Sequence, residues 1–249
     1  MKKALVIICS SWAIGLVFAG WFVTTKSKAA KPAKSGCSSC AGGSKPAAIL
    51  KSGERYTAIP GDPQTAVRSF KRLYKAMIAF RNLHGRLPTG RVELSKPIAP
   101  GIQLTDNDFT NPDAKTAAYA ASNPLGEVEP SYMSRYLHRR PNGEKKPAFP
   151  GKGERDLWFV SNHYMRMVVL NVGDHKSVTY YGKLVGLFSD GEIEVKPVDQ
   201  LVGHRLGRNI MAIEFPDQTG IPKDSLPVNV MMQRMSDDMT QPSGAPAAK

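Results

Sequence analysis

Between Asp62 and Gly85 the apolar side chains recur with the period of an α-helix. At 100° per residue, Val67, Phe70, Leu73, Tyr74, Met77, Ile78 and Phe80 fall within one arc of roughly 160°. Arg68, Lys71, Arg72 and Lys75 occupy the opposite arc. Asp62 is placed to cap the first turn, Pro63 fits the first helical position, and Gly85 supplies the stop. Arg81 lands on the apolar side, where its stem can pack while its head reaches water. Burying six or seven such side chains at roughly 1.5–3 kcal/mol each outweighs any exposed charge pair. The apolar stripe therefore decides where this helix sits, and the cations face outward.

From Asp156 the period changes. DLWFV (156–160), YMRMVVLNV (164–172), KSVTYYGKLVGLF (176–188) and EIEVKPV (192–198) are rich in β-branched and aromatic residues. Gly173 with Asp174, and Asp190 with Gly191, fall between runs as turns, the second pair a strong hairpin signal. This predicts an antiparallel meander of three or four strands, with the helix covering one face. Residues 93–155 form an irregular insertion, interrupted by prolines at 97, 100, 112, 124, 130, 141, 147 and 150. Within it, NPDAKTAAYAAS (111–122) and SYMSRYLHRR (131–140) each read as a short helix. Residues 222–249 read as a Met-, Pro- and Ala-rich tail, largely disordered.

The N-terminus adds a location. After Met1, Lys2 and Lys3 an uncharged run begins at Ala4 and closes at Val23. Twenty residues at 1.5 Å each make about 30 Å, the thickness of a hydrocarbon core. Trp21 sits where an aromatic anchors at an interface. The length favours a retained signal anchor. A cleaved signal peptide is the alternative, with small residues at Ser27 and Ala29 around Lys28. Cys9 lies inside the run, so no lipoprotein-type cysteine ends it.

The formal charge of +13 is concentrated in the first third of the chain. Residues 63–92 carry seven Lys/Arg and no acid, whereas residues 93–198 carry thirteen of each sign. A basic tether followed by a basic helix predicts attraction to an anionic partner: lipid head groups, envelope polymers or nucleic acid. Nucleic-acid binding would use Arg68, Lys71, Arg72 and Lys75 and weaken steeply with salt. It is the less favoured of these readings.

Reactive chemistry is sparse. Cys37 and Cys40 form a C-x-x-C pair in a Lys/Ala/Ser/Gly/Pro-rich tether, without a second pair, a following His or a thioredoxin-like context. The pair reads as a small disulfide or two idle thiols, with thiol-redox or metal handling as the alternative. The five histidines, at 84, 138, 163, 175 and 204, show no ligand spacing. His163 and His175 flank a predicted strand and could approach Asp174 or Asp190, without a nucleophile beside them. VMMQRM (230–235) reads as a soft apolar docking surface, with copper binding as the alternative. No catalytic residues, metal ligands or cofactors are assigned.

Two stretches carry a family resemblance. SFKRLYKAMIAFRNLHGRLP (69–88) resembles the end of the long helix in type IV pilin-like and pseudopilin-like proteins, in particular prepilin-type proteins with a DUF1559-like domain. Phe80, His84, Gly85, Arg86 and Pro88 carry that match, with Leu87 where the family has an aromatic. GKLVGLFSDGEIEV (182–195) is similar to the family's closing hairpin through Phe188, Asp190 and Gly191. Tyr180 stands where the family places a His. The resemblance extends to the head and not to the prepilin leader, since no Gly-Phe-Thr-Leu pattern occurs and no Glu precedes Glu54. It implies a pilin-like head, and for Asp190 and Gly191 it also carries a calcium-site reading, to which hairpin geometry is preferred.

The expected fold is thus α+β: a transmembrane signal anchor (1–25), a flexible basic tether with the C-x-x-C pair (26–60), a pilin-like head (61–221) and the tail. The expected protein is non-enzymatic and single-pass in the bacterial inner membrane, its soluble part extracytoplasmic, with envelope or secretion proteins as partners.

Overall fold

The computed structural model describes residues 59–122, 129–172, 175–207 and 210–240. The apolar N-terminal run, Cys37, Cys40, and the turn at Gly173 and Asp174 lie outside them. Within the described residues the fold is α+β with antiparallel sheets, and no helix there is long and apolar enough to cross a membrane.

The periodic stretch forms helix α1 (Pro63–His84). Asp62 Oδ1 accepts a hydrogen bond from the Gln64 amide at 3.0 Å, and the Gly85 amide closes the other end on the Arg81 carbonyl. Ala66, Phe70, Leu73, Ala76, Met77 and Phe80 are buried, whereas Val67, Tyr74 and Ile78 are only partly so. The buried stripe is therefore rotated from the expected one towards Ala66 and Ala76. These small side chains let the helix backbone approach the sheet.

After α1 come a short helix α2 (Arg91–Ser95), two 3-10 turns (Asp106–Phe109 and Pro112–Lys115) and helix α3 (Ala117–Ser122). The stretch 111–122, expected as one short helix, is instead divided at the extended Thr116 into the second 3-10 turn, entered through Asn111, whose side chain accepts from the Asp113 amide, and α3. The stretch 131–140 is not a helix. Its centre is strand β1 (Met133–Ser134), paired with Val160 and Phe159. Tyr132 and Tyr136 on either side are buried in the core with α1, so tertiary packing overrides the local helical pattern.

The main sheet contains β1, β2 (Leu157–Ser161), β3 (Met165–Val172), β4 (His175–Phe188) and β5 (Ile193–Pro197). β4 is its spine. β5 pairs the C-terminal half of β4 on the edge opposite β2, and β3 pairs its N-terminal half. The expected meander holds for β3, β4 and β5. β2 departs from it by pairing with β4 instead of its sequence neighbour. At this junction Lys183 N–H donates to the Tyr164 carbonyl at 2.7 Å. Gly182 (φ 99°) makes that approach feasible, since a Cβ would run into the same carbonyl.

Side chains alternate across the sheet. Val185 and Leu187 face α1 together with Trp158 and Phe159, whereas Leu184 and Phe188 face a second layer. That layer is a three-stranded sheet of β6 (Val202–Gly207), β7 (Ile210–Glu214) and β8 (Leu226–Pro227), followed by helix α4 (Val228–Thr240). The expectation of a largely disordered tail from 222 is thus corrected through Thr240. Val228, Met231 and Met235 recur at helical spacing and are buried. The methionine cluster fills core, as its soft side chains suit irregular gaps.

Candidate functional site

Helix α1 buries six side chains in the core and carries four cations on its outer side. Arg68, Lys71, Arg72 and Lys75 all lie on the exposed side of α1, but they are not equivalent. Arg72 Nε is 3.0 Å from Asp108 Oδ1, whose carboxylate is buried. Asp108 Oδ2 also accepts from the Thr105 amide at 2.8 Å and from the Thr105 hydroxyl at 3.0 Å. Arg72 therefore secures the 3-10 turn against α1. Arg68 donates only to the Thr65 hydroxyl at 3.2 Å. Lys71 and Lys75 have no carboxylate partner among the described residues.

The other cations of this stretch are engaged. Arg86 grips both carboxylate oxygens of Glu93, at 2.5 and 3.0 Å. That pairing, with the Thr89 amide, holds the Glu93 carboxyl down at about 2. Arg91 pairs with Asp106 at 2.5 Å and lies over the Phe109 ring. The Arg81 guanidinium sits over Phe149, 5.6 Å from the ring centroid, so its head is engaged by an aromatic ring. Arg68, Lys71 and Lys75 remain as available positive charge. Leu83 joins them, 62% exposed and eleven residues after Arg72, hence within about 20° of it on the helix. The sequence reading missed Leu83 because it followed the charges and not the full arc.

A second group of polar side chains is closed to solvent. Ser161 and His163 are buried, and Ser161 Oγ lies 2.9 Å from His163 Nδ1. His163 Nε2 faces the Glu129 carbonyl at 3.0 Å, which fixes the tautomer: Nε2–H donates and Nδ1 accepts. Burial lowers the His163 pKa. Arg166 lies over the Tyr119 ring at 4.3 Å and donates to the His163 carbonyl at 3.0 Å. Tyr164 donates to Asp113 at 2.8 Å, and burial pushes its hydroxyl pKa upward. Among the described residues no carboxylate is hydrogen-bonded to His163, and Ser161 is fully buried, so the group is a staple that ties residues 111–122 and 129–132 to the β2–β3 junction. Among the described residues His163 is hydrogen-bonded to neither Asp190 nor an accessible nucleophile, and Asp174 lies outside them. His204, buried in β6, has no hydrogen-bond partner for either ring nitrogen among the described residues.

The turn at Asp190 and Gly191 is a three-residue hairpin loop. Phe188 N–H donates to the Glu192 carbonyl at 2.9 Å, and Gly191 N–H to the Phe188 carbonyl at 3.0 Å. Arg155 occupies the space between the carboxylates there, reaching Asp190 at 3.0 Å, Glu192 at 2.9 Å and Glu194 at 2.7 Å. Its guanidinium lies 3.7 Å from the Phe188 centroid. Lys196 pairs with Glu194 at 3.0 Å and with Asp217. Hairpin geometry accounts for the turn.

A concavity of about 460 Å³ within the turn 97–103 is lined by Pro97, Ile98, Pro100 and Gln103 and has no titratable side chain. Among the described residues no three His, Cys, Asp or Glu side chains are placed to hold a metal ion. Comparison with known proteins gives no match, whether with family models, curated proteins or solved structures.

Proposed function

We propose that this chain is a non-catalytic, single-pass protein of the bacterial inner membrane. The run from Ala4 to Val23 would be its signal anchor, the following basic segment a tether, and the α+β unit an extracytoplasmic head of pilin or pseudopilin type. The head would bind or scaffold envelope or secretion components. One observation carries this reading: α1 buries its apolar stripe against the central strands and turns Arg68, Lys71 and Lys75 to solvent. The stretches 69–88 and 182–195, which carry the family resemblance, meet in that packing.

Fractionation of bacteria expressing the chain with a C-terminal tag tests it. Retention in the membrane pellet through high-salt washing, with the tag digested by protease added to spheroplasts, is the expected result. A tag recovered in the soluble fraction, or protected in intact spheroplasts, would overturn the reading.

A further inference from the structure

We infer that the outward face of α1 is a docking surface for an anionic phospholipid bilayer, on which the head lies down along its helix. The inference rests on the proposed anchor for its geometry but stands on separate residues. Arg68, Lys71 and Lys75 fall within an arc of about 60°, with Leu83 at its edge about 60° beyond Arg68, and the four span about 22 Å of helix at 1.5 Å per residue. Among the described residues no acid neutralises Lys71 or Lys75. The acids nearby are spent: Asp108 on Arg72, Asp106 on Arg91 and Glu93 on Arg86.

Leu83 decides between partners. A bilayer interface offers phosphates to the cations and an acyl boundary to an exposed leucine on the same side. A nucleic-acid duplex matches the cations alone, and the face shows no aromatic side chain on which single-stranded bases would stack. The 38 residues between Val23 and Asp62 supply enough chain for the head to reach the membrane that holds the anchor.

The test is a lysine-acetylation footprint of the full chain. It compares vesicles of phosphatidylcholine alone with vesicles also containing phosphatidylglycerol. Lys223, exposed in the second layer, serves as the internal reference. On phosphatidylglycerol, labelling of Lys71 and Lys75 relative to Lys223 is expected to fall at least three-fold. It should recover in 1 M salt, where the screening length is about 3 Å. Leu83→Ser should weaken the protection. An unchanged ratio on the two vesicles would overturn the inference. So would protection by an added DNA duplex without protection by phosphatidylglycerol, which would assign the face to nucleic acid.

Retention on phosphatidylcholine vesicles in high salt reads the anchor separately. A chain that washes off those vesicles, yet is protected on phosphatidylglycerol, loses the anchor and keeps the face.

Discussion

Gly191, in the turn between β4 and β5, lies flat against the Tyr74 ring of α1. A Cβ built on it would stand 2.6 Å from Tyr74 Cζ and 2.7 Å from Cε1, and its φ is 91°. Two demands therefore converge on one residue: a left-handed turn and the absence of a side chain where the helix meets the hairpin. Gly191→Ala should cost about 2–4 kcal/mol, combining backbone strain with overpacking. Pairing it with Tyr74→Ala should recover the overpacking part. Urea unfolding of both single variants and the double variant checks this, and strictly additive losses would mean that the two residues do not couple.

Arg72 and its neighbours should separate in a stability measurement. Arg72→Met leaves the buried Asp108 carboxylate without its cation and should lower stability by about 1–2 kcal/mol. Lys71→Gln and Lys75→Gln should change it by less than about 0.5 kcal/mol, as at other unpaired surface positions. Equal losses at all three positions would remove the distinction drawn between them.

Arg155 ties the start of β2 to the β4–β5 hairpin, with only 15% of its side chain exposed. Truncating it to Met strands Glu194, which is equally buried and retains Lys196 alone. A loss of about 2–3 kcal/mol is expected. Arg155→Met combined with Glu194→Gln should recover part of it, because the stranded charge is then gone. Double-mutant analysis by thermal unfolding decides; no recovery would place the energy in the stacking on Phe188.

Lys146 predicts an unusual alkaline slope. Its ammonium donates to the Arg135 carbonyl at 2.9 Å and the Leu157 carbonyl at 3.0 Å, and burial lowers its pKa to about 8. Between pH 8 and the ordinary lysine value of 10.5, the unfolded chain keeps a proton that the folded chain has released. Stability therefore rises with pH across that window, by at most about 1.4 kcal/mol per pH unit. Below pH 8 both states are protonated and the slope vanishes. Urea midpoints from pH 7 to 10.5 should show the rise in the native chain and a flatter profile in Lys146→Met. Identical profiles would contradict the shift.

Much of this was legible in the sequence where one pattern dominated over a long window. α1 with both its caps, β3, β4, β5 and the hairpin at Asp190 and Gly191 all follow from periodicity and turn chemistry. The second layer did not. β6 contains two glycines, a His and an Arg in six residues, so its alternation is weak and its pairing with β7 supplies the order. α4 was hidden because its core face is methionine, a composition that also suits a docking surface or a metal site. Strand β1 was misread because its two residues take their conformation from β2. The candidate face was half visible: the charges were plain. That Arg72 is spoken for by Asp108, thirty-six residues away in sequence, emerges only from packing.

The central claim is that α1 is held by its apolar stripe and leaves its cationic side wet. Thiol labelling of single-cysteine chains, with Cys9, Cys37 and Cys40 replaced by Ser, tests it most directly. Ala66→Cys and Ala76→Cys should label at least about a hundred-fold more slowly in the folded protein than Lys71→Cys and Lys75→Cys, since only local or global opening exposes the buried pair. Comparable labelling rates at all four positions would contradict the account.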